Sequence, residues 1–153
     1  MVTVCEILSN PLNYDGMFVT VRDRTAGTAE GLWLIGQECP GIFKTEGYVW
    51  KSLISVVKPG NYQVPAVEFA FDEASEDKLN PKYRKLRNVF PEECLRWTYT
   101  GLFETRKEWK WTRWKTPIGF GHEGGAPGQL IVRSVDDVAS IPNCTKDKTS
   151  HTP

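Results

Sequence analysis

Short runs of two-residue alternation, each cut by glycine, proline or asparagine, constrain this chain more than any other feature. Val19 and Val21 alternate with Thr20 and Arg22, and Leu95, Trp97 and Tyr99 alternate with Arg96, Thr98 and Thr100. A period of two is the mark of a half-buried strand. Strands are expected over 18–24, 32–35, 48–57, 67–71, 93–105 and 129–135. Residues 105–115 (TRKEWKWTRWK) continue the pattern, with Trp109 and Trp111 on one face and Lys110 and Trp114 on the other. Gly101 reads as a bend or bulge, and 26–31 as a turn. Residues 117–128 hold five glycines and two prolines and read as a loop, while 136–138 read as a short turn or helix.

Helical signals are few. Thr3 stands three residues before Glu6, the spacing of a capping box, and Asn10-Pro11 ends that short helix. Residues 72–88 run from acidic to basic, which suits a helix dipole, and Leu79, Tyr83 and Leu86 recur at helical spacing. Pro81 fits the first turn of a helix beginning near Asn80, so one or two short helices are expected there. There is no βαβ rhythm, no repeat and no G-x-G-x-x-G after a strand. The expectation is a mainly β fold: a small OB-like Greek-key barrel with a short N-terminal helix and a helical insertion at about 72–88. A β-sandwich is the competing architecture. The 153 residues suit one domain, set at 1–142, with a polar tail over 143–153.

Nineteen basic residues balance nineteen acidic ones, so no net charge draws the whole chain to nucleic acid or membrane. The charge is nonetheless sorted. Residues 1–77 carry 5 basic and 11 acidic side chains, and residues 78–115 carry 11 basic and 4 acidic. Four of the six tryptophans lie in that basic block. No apolar run approaches the ~20 residues of a membrane span.

Cysteines stand at 5, 39, 94 and 144. No two are close in sequence, so zinc is not expected, and no other motif calls for a cofactor. Four cysteines allow two disulfides in three pairings, which would suit an exported protein. Four buried thiols are the other reading. Met1-Val2-Thr3-Val4 has neither the basic nor the apolar region of a secretory leader. Export therefore implies a leader absent from this chain, and a cytoplasmic location is the alternative.

The opening Cys5-Glu6-Ile7-Leu8-x-Asn10-Pro11-x-x-Tyr14-x-Gly16-x-x-Val19-x-Val21 resembles that of a group of small bacterial proteins with no assigned activity. Gly119-Phe120-Gly121-His122, followed by Gln129-Leu130-Ile131-Val132-x-Ser134-Val135-x-Asp137-Val138, is similar to the same group. The likeness spans about the first 35 residues and the last 25. It implies an OB-like fold and an exported location, with the short helix plugging one barrel end. It implies no activity. Asp23 departs from the group, which tends to have Gly there, and this bears on a bulge in the first strand.

Trp109, Trp111 and Trp114 with Arg106, Lys107, Lys110, Arg113 and Lys115 form the most informative cluster. Exposed rings stack bases or sugars while cations hold acidic groups. The same residues also suit a strand face, with rings inward and a solvated basic edge. His122 reads either as a general base or ligand-facing donor, or as an imidazole fixing a glycine-rich loop. Neighbouring residues on an extended chain point apart, so Glu123 is a poor orienter for it, and no nucleophile motif accompanies it. Gly124-Gly125-Ala126-Pro127-Gly128 leads into a strand, not a helix, and so lacks the setting of a phosphate loop. The basic face 82–87 and the acidic residues 72–77 read as dipole partners of a helix.

The function expected is a non-enzymatic binding module, exported, using the aromatic-basic surface and the adjacent His122. Its partner would be a protein, a glycan or another anionic polymer. The alternatives are an intracellular single-stranded nucleic-acid binder and a hydrolase using His122.

Overall fold

The computed structural model describes residues 1–41, 43–61 and 64–144. Val19 and Val21 turn inward as their alternation requires, and β1 (Phe18–Thr28) carries them. Its first half pairs antiparallel with β6 (Leu95–Thr105) and its second half with β2 (Gly31–Ile35). That shared strand is longer than its expected end at Arg24. The β2 ladder supplies hydrogen bonds to Ala26, Gly27 and Thr28, so the turn shrinks to Ala29-Glu30.

The third expected strand is split. β3 (Lys44–Thr45) and β4 (Tyr48–Val49) form a small hairpin, and β5 (Leu53–Val57) follows separately. Glu46 and Gly47 both take positive φ at its turn, which suits a two-residue hairpin. Trp50 marks the break, because its buried indole N–H donates to Thr45 Oγ1 at 2.8 Å and turns the chain out of line.

β5 pairs with β2 on one side and runs parallel to β7 (Gly128–Ser140) on the other, and β7 pairs with β6. The five main strands therefore follow the order β1-β2-β5-β7-β6 and return to β1. Both sides of β5 are taken, so the strand expected over 67–71 finds no ladder and is absent. Phe69 meets the ring of Phe18 edge-on instead, and Phe71 lies against the core. β7 also absorbs the turn expected at 136–138. Two register shifts in the β6–β7 ladder, one between Thr100 and Gly101, accommodate the extra residues. Gly101 is therefore at the bulge its identity predicts.

α1 (Val4–Ser9) inserts Val4, Ile7 and Leu8 into the core. Thr3 Oγ1 accepts from the Glu6 N–H, as the capping spacing predicts. Asp23 adds a second cap, its Oδ2 accepting from the Val4 N–H at 3.0 Å. Asp23 thus fastens the helix to β1, and the β1 ladder runs through it in regular register. Burial pushes its carboxyl above the ordinary range.

The insertion is one helix, α2 (Glu73–Arg87), with Pro81 inside it. Tertiary anchors outweigh the proline: Ser75 Oγ accepts from the Val135 N–H, and Lys82 reaches Asp137 at 2.7 Å. Disulfides join Cys5 to Cys39 and Cys94 to Cys144. Gly36 makes room for the first, since a Cβ there would stand 2.8 Å from Cys39 Sγ. The expected polar tail begins in part with bridged Cys144, and 145–153 lie outside the described residues. No helix among the described residues is long and apolar enough to cross a membrane.

Candidate functional site

Residues 106–115 do not extend β6, contrary to the alternation of Trp109 and Trp111. The β6–β7 ladder stops at Thr105↔Gly128, because Pro127 has no N–H to continue it. Thr105 is instead tied off by Asp15 Oδ1 and the Pro127 carbonyl. Beyond it the chain leaves the barrel as a narrow arm. The Ile118 N–H donates to the Lys110 carbonyl at 2.8 Å, and the Thr112 N–H to the Thr116 carbonyl at 2.8 Å. Thr112 and Thr116 also join their hydroxyls, and Lys115 takes φ +61° to close the tip.

The three tryptophans meet three different environments. Trp109 is half-buried at the base, its ring 4.9 Å from Trp50, which in turn meets Tyr48 at 5.0 Å. Trp111 is half-buried along the arm, bridging to Pro117. Trp114 is 73% exposed at the tip, with the Arg113 guanidinium 4.7 Å above its ring. The expected platform of three side chains is thus one anchor, one spacer and one free ring. Lys107, Lys110 and Lys115 are exposed around it, while Arg106 is structural. Its guanidinium donates to the Ile118 and Gly119 carbonyls and lies 4.3 Å over Phe120, bracing the return of the loop.

A cleft of about 460 Å³ opens beneath the arm, between the turn after α1 and the β3–β4 hairpin. Leu12, Phe43 and Trp109 give it apolar walls, and Lys44, Glu46 and Lys107 charged rims.

His122 lies on the returning limb, away from the tip. Its Nε2 is 3.3 Å from Glu30 on the β1–β2 turn and 3.6 Å from Glu123. Glu123 was expected to point away. It takes φ +57°, a left-handed turn that folds its carboxylate back toward the imidazole. The carboxylates of Glu30 and Glu123 are the ionic side-chain partners of His122 among the described residues. The arrangement clamps one loop to another. Among the described residues no three His, Cys, Asp or Glu side chains gather where they would hold a metal ion.

The returning limb covers the outer face of β5 and β7. Ser55 and Gln129, opposite each other across the parallel pairing, are buried there. Gly121 lies so close that a Cβ would stand 2.7 Å from Ser55 Oγ. Sequence reasoning missed Trp50, Tyr48 and Glu30 as parts of this region. Their spacing to Trp109 and His122 is long, and only the barrel brings them together.

No family model matches this chain, and no curated protein or solved structure shows significant similarity to it.

Proposed function

We propose that this chain is a non-enzymatic binding module of an oxidising, extracytoplasmic compartment, built as an OB-type barrel, that takes an anionic polymer such as an acidic glycan on its β6–β7 arm. The observation that carries the reading is Trp114, 73% exposed at a hydrogen-bonded tip and flanked by basic side chains. Tryptophan is enriched at binding surfaces, where its ring face stacks on a ligand and neighbouring cations hold acidic groups. Residues 106–116 carry five basic side chains against one acidic, Glu108, so the arm attracts negative charge.

The OB reading is supported by the strand order, the parallel pairing of β5 with β7, and the position of α2 between β5 and β6. In OB-folds the loops after the first and fourth barrel strands carry ligands. Here those are the β1–β2 turn and the arm, joined by Glu30 and His122. The oxidising compartment is supported by the two disulfides, and it agrees with the resemblance to exported proteins. An extended single strand of nucleic acid is the weaker reading. In OB-folds it lies along the second and third barrel strands, and here the chain's own residues bury Ser55 and crowd Trp33 on that face.

The test is a fluorescence titration with a sulfated hexasaccharide and, separately, a single-stranded oligonucleotide, at low and moderate salt. Expected is saturable glycan binding that weakens with salt and is lost in Trp114→Ala, whose unfolding midpoint stays unchanged. Binding that persists in Trp114→Ala, or none at low salt, overturns the proposal. Tighter binding of the oligonucleotide overturns the choice of ligand.

A further inference from the structure

Tyr99 is a mostly buried side chain whose accessible edge opens onto a cleft. The residue is only 8% exposed, and its hydroxyl has no hydrogen-bond partner among the described residues. It lines a cleft of about 940 Å³ between α2 and the barrel, with Val56, Val132 and Val135 at its floor. Not one residue of α2 is buried, so the helix overhangs this opening without sealing it.

The wall of the cleft is aromatic. Trp97 lies 5.2 Å from Tyr83 and 6.4 Å from Tyr99, centroid to centroid, which lines up three rings on one side. Glu76 and Glu92 lie in the same cleft. Their charges, after burial itself, push the Tyr99 hydroxyl well above the ordinary phenol range, so it stays protonated. The chain already holds one ammonium here: Lys58 Nζ sits 4.6 Å over Phe71 and 3.7 Å from Glu76. No Lys or Arg among the described residues stands over Tyr83, Trp97 or Tyr99. Arg87 reaches Glu92 from the rim, where the Tyr83 hydroxyl also donates to that carboxylate.

We propose that this cleft is a second binding site, for a small organic ammonium with a hydroxyl or similar polar group. The cation would lie against the faces of Tyr83, Trp97 and Tyr99, with its polar group on the Tyr99 hydroxyl. Ring faces attract cations electrostatically, most strongly when both are shielded from water. Glu76 and Glu92 add attraction for positive charge and repel anions, which separates this site from the basic arm. The apolar floor takes the methyl groups of an alkylated nitrogen.

Choline and its uncharged isostere 3,3-dimethylbutan-1-ol are the probes, titrated by calorimetry and by NMR of the indole N–H groups. Choline is expected to bind at least about tenfold tighter than the isostere and to move the Trp97 signal. Glu76→Gln, at a half-exposed position that leaves the fold intact, is expected to weaken choline several-fold and leave the isostere unchanged. Tyr99→Phe is expected to weaken choline but not tetramethylammonium, which has no hydroxyl. Equal binding of choline and the isostere, no binding of either, or full choline affinity in Glu76→Gln overturns the proposal.

Discussion

Replacing Cys94 and Cys144 together by alanine removes the bridge between the start of β6 and the end of β7. The two are 50 residues apart in sequence. Closing a loop of that length takes roughly 14 cal/mol/K from the unfolded chain, or about 4 kcal/mol at 25 °C. A domain of this size is stable by about 5–15 kcal/mol in total, so the loss is a large part of it. Little is lost on the folded side, because Ile141 N–H still reaches the Cys94 carbonyl and alanine keeps the buried site apolar. Urea unfolding followed by tryptophan fluorescence should give a midpoint lower by an amount equivalent to about 4 kcal/mol, and thermal unfolding a drop of roughly 8–16 °C. The denaturant slope should rise, since an unlinked unfolded chain exposes more surface. A variant within about 0.5 kcal/mol of the parent with an unchanged slope refutes the reasoning, for then the bridge does not restrain the unfolded chain.

Two further outcomes follow from local geometry. Gly101→Ala should destabilise by about 1–3 kcal/mol or more, because a Cβ would stand 2.9 Å from Val132 Cα and against the Ile131 carbonyl oxygen. Gly27→Ala, whose Cβ would make ordinary contacts with Leu32 Cδ1 at 3.5 Å and the Gly31 carbonyl oxygen at 3.7 Å, is the control; equal midpoints for the two would contradict the described bulge. Asp137, hydrogen-bonded by Lys82, has its carboxyl held below the usual range. A folded-state pKa below the unfolded one gives stability that is present above the unfolded value and lost as pH falls through the folded one. Lys82→Met should therefore be less stable than the parent at pH 7 by up to about 1 kcal/mol, the limit for a surface pair. The gap should shrink below about pH 4; a gap constant down to strongly acid pH would show that the carboxylate is not involved.

Local rules succeeded where the partner was close by. Thr3 was readable as a cap because Glu6 is three residues on, and Gly101 as a bulge because only glycine fits there. The inward run of Leu95, Trp97 and Tyr99 followed from strand alternation alone. The arm was misread for a physical reason. Its alternation is real, but a strand needs a neighbouring ladder, and Pro127 removes it. Trp109 owes its position to Trp50, far away in the chain, so its role as an anchor left no mark at its own spacing. Residues 67–71 failed in the same way, with β5 already paired on both sides. The cysteine pairing was open in the sequence because spacing does not fix connectivity. The exposed Trp114 was among the expected site residues; that it is the free one of three is a product of the tip geometry.

The parallel pairing of β5 with β7 brings Ser55 opposite Gln129, and among the described residues it is the one parallel ladder between two barrel strands. Every other barrel pairing is antiparallel. The parallel seam joins segments as far apart in sequence as the β1–β6 pairing does, and such distant contacts form late, since a long loop must close before any hydrogen bond is gained. Until that seam zips, β5 and β7 are bare margins able to recruit strands from another molecule. The finished barrel offers neither to a stranger. Its vulnerability to aggregation is therefore concentrated in time, in the interval before the last seam shuts.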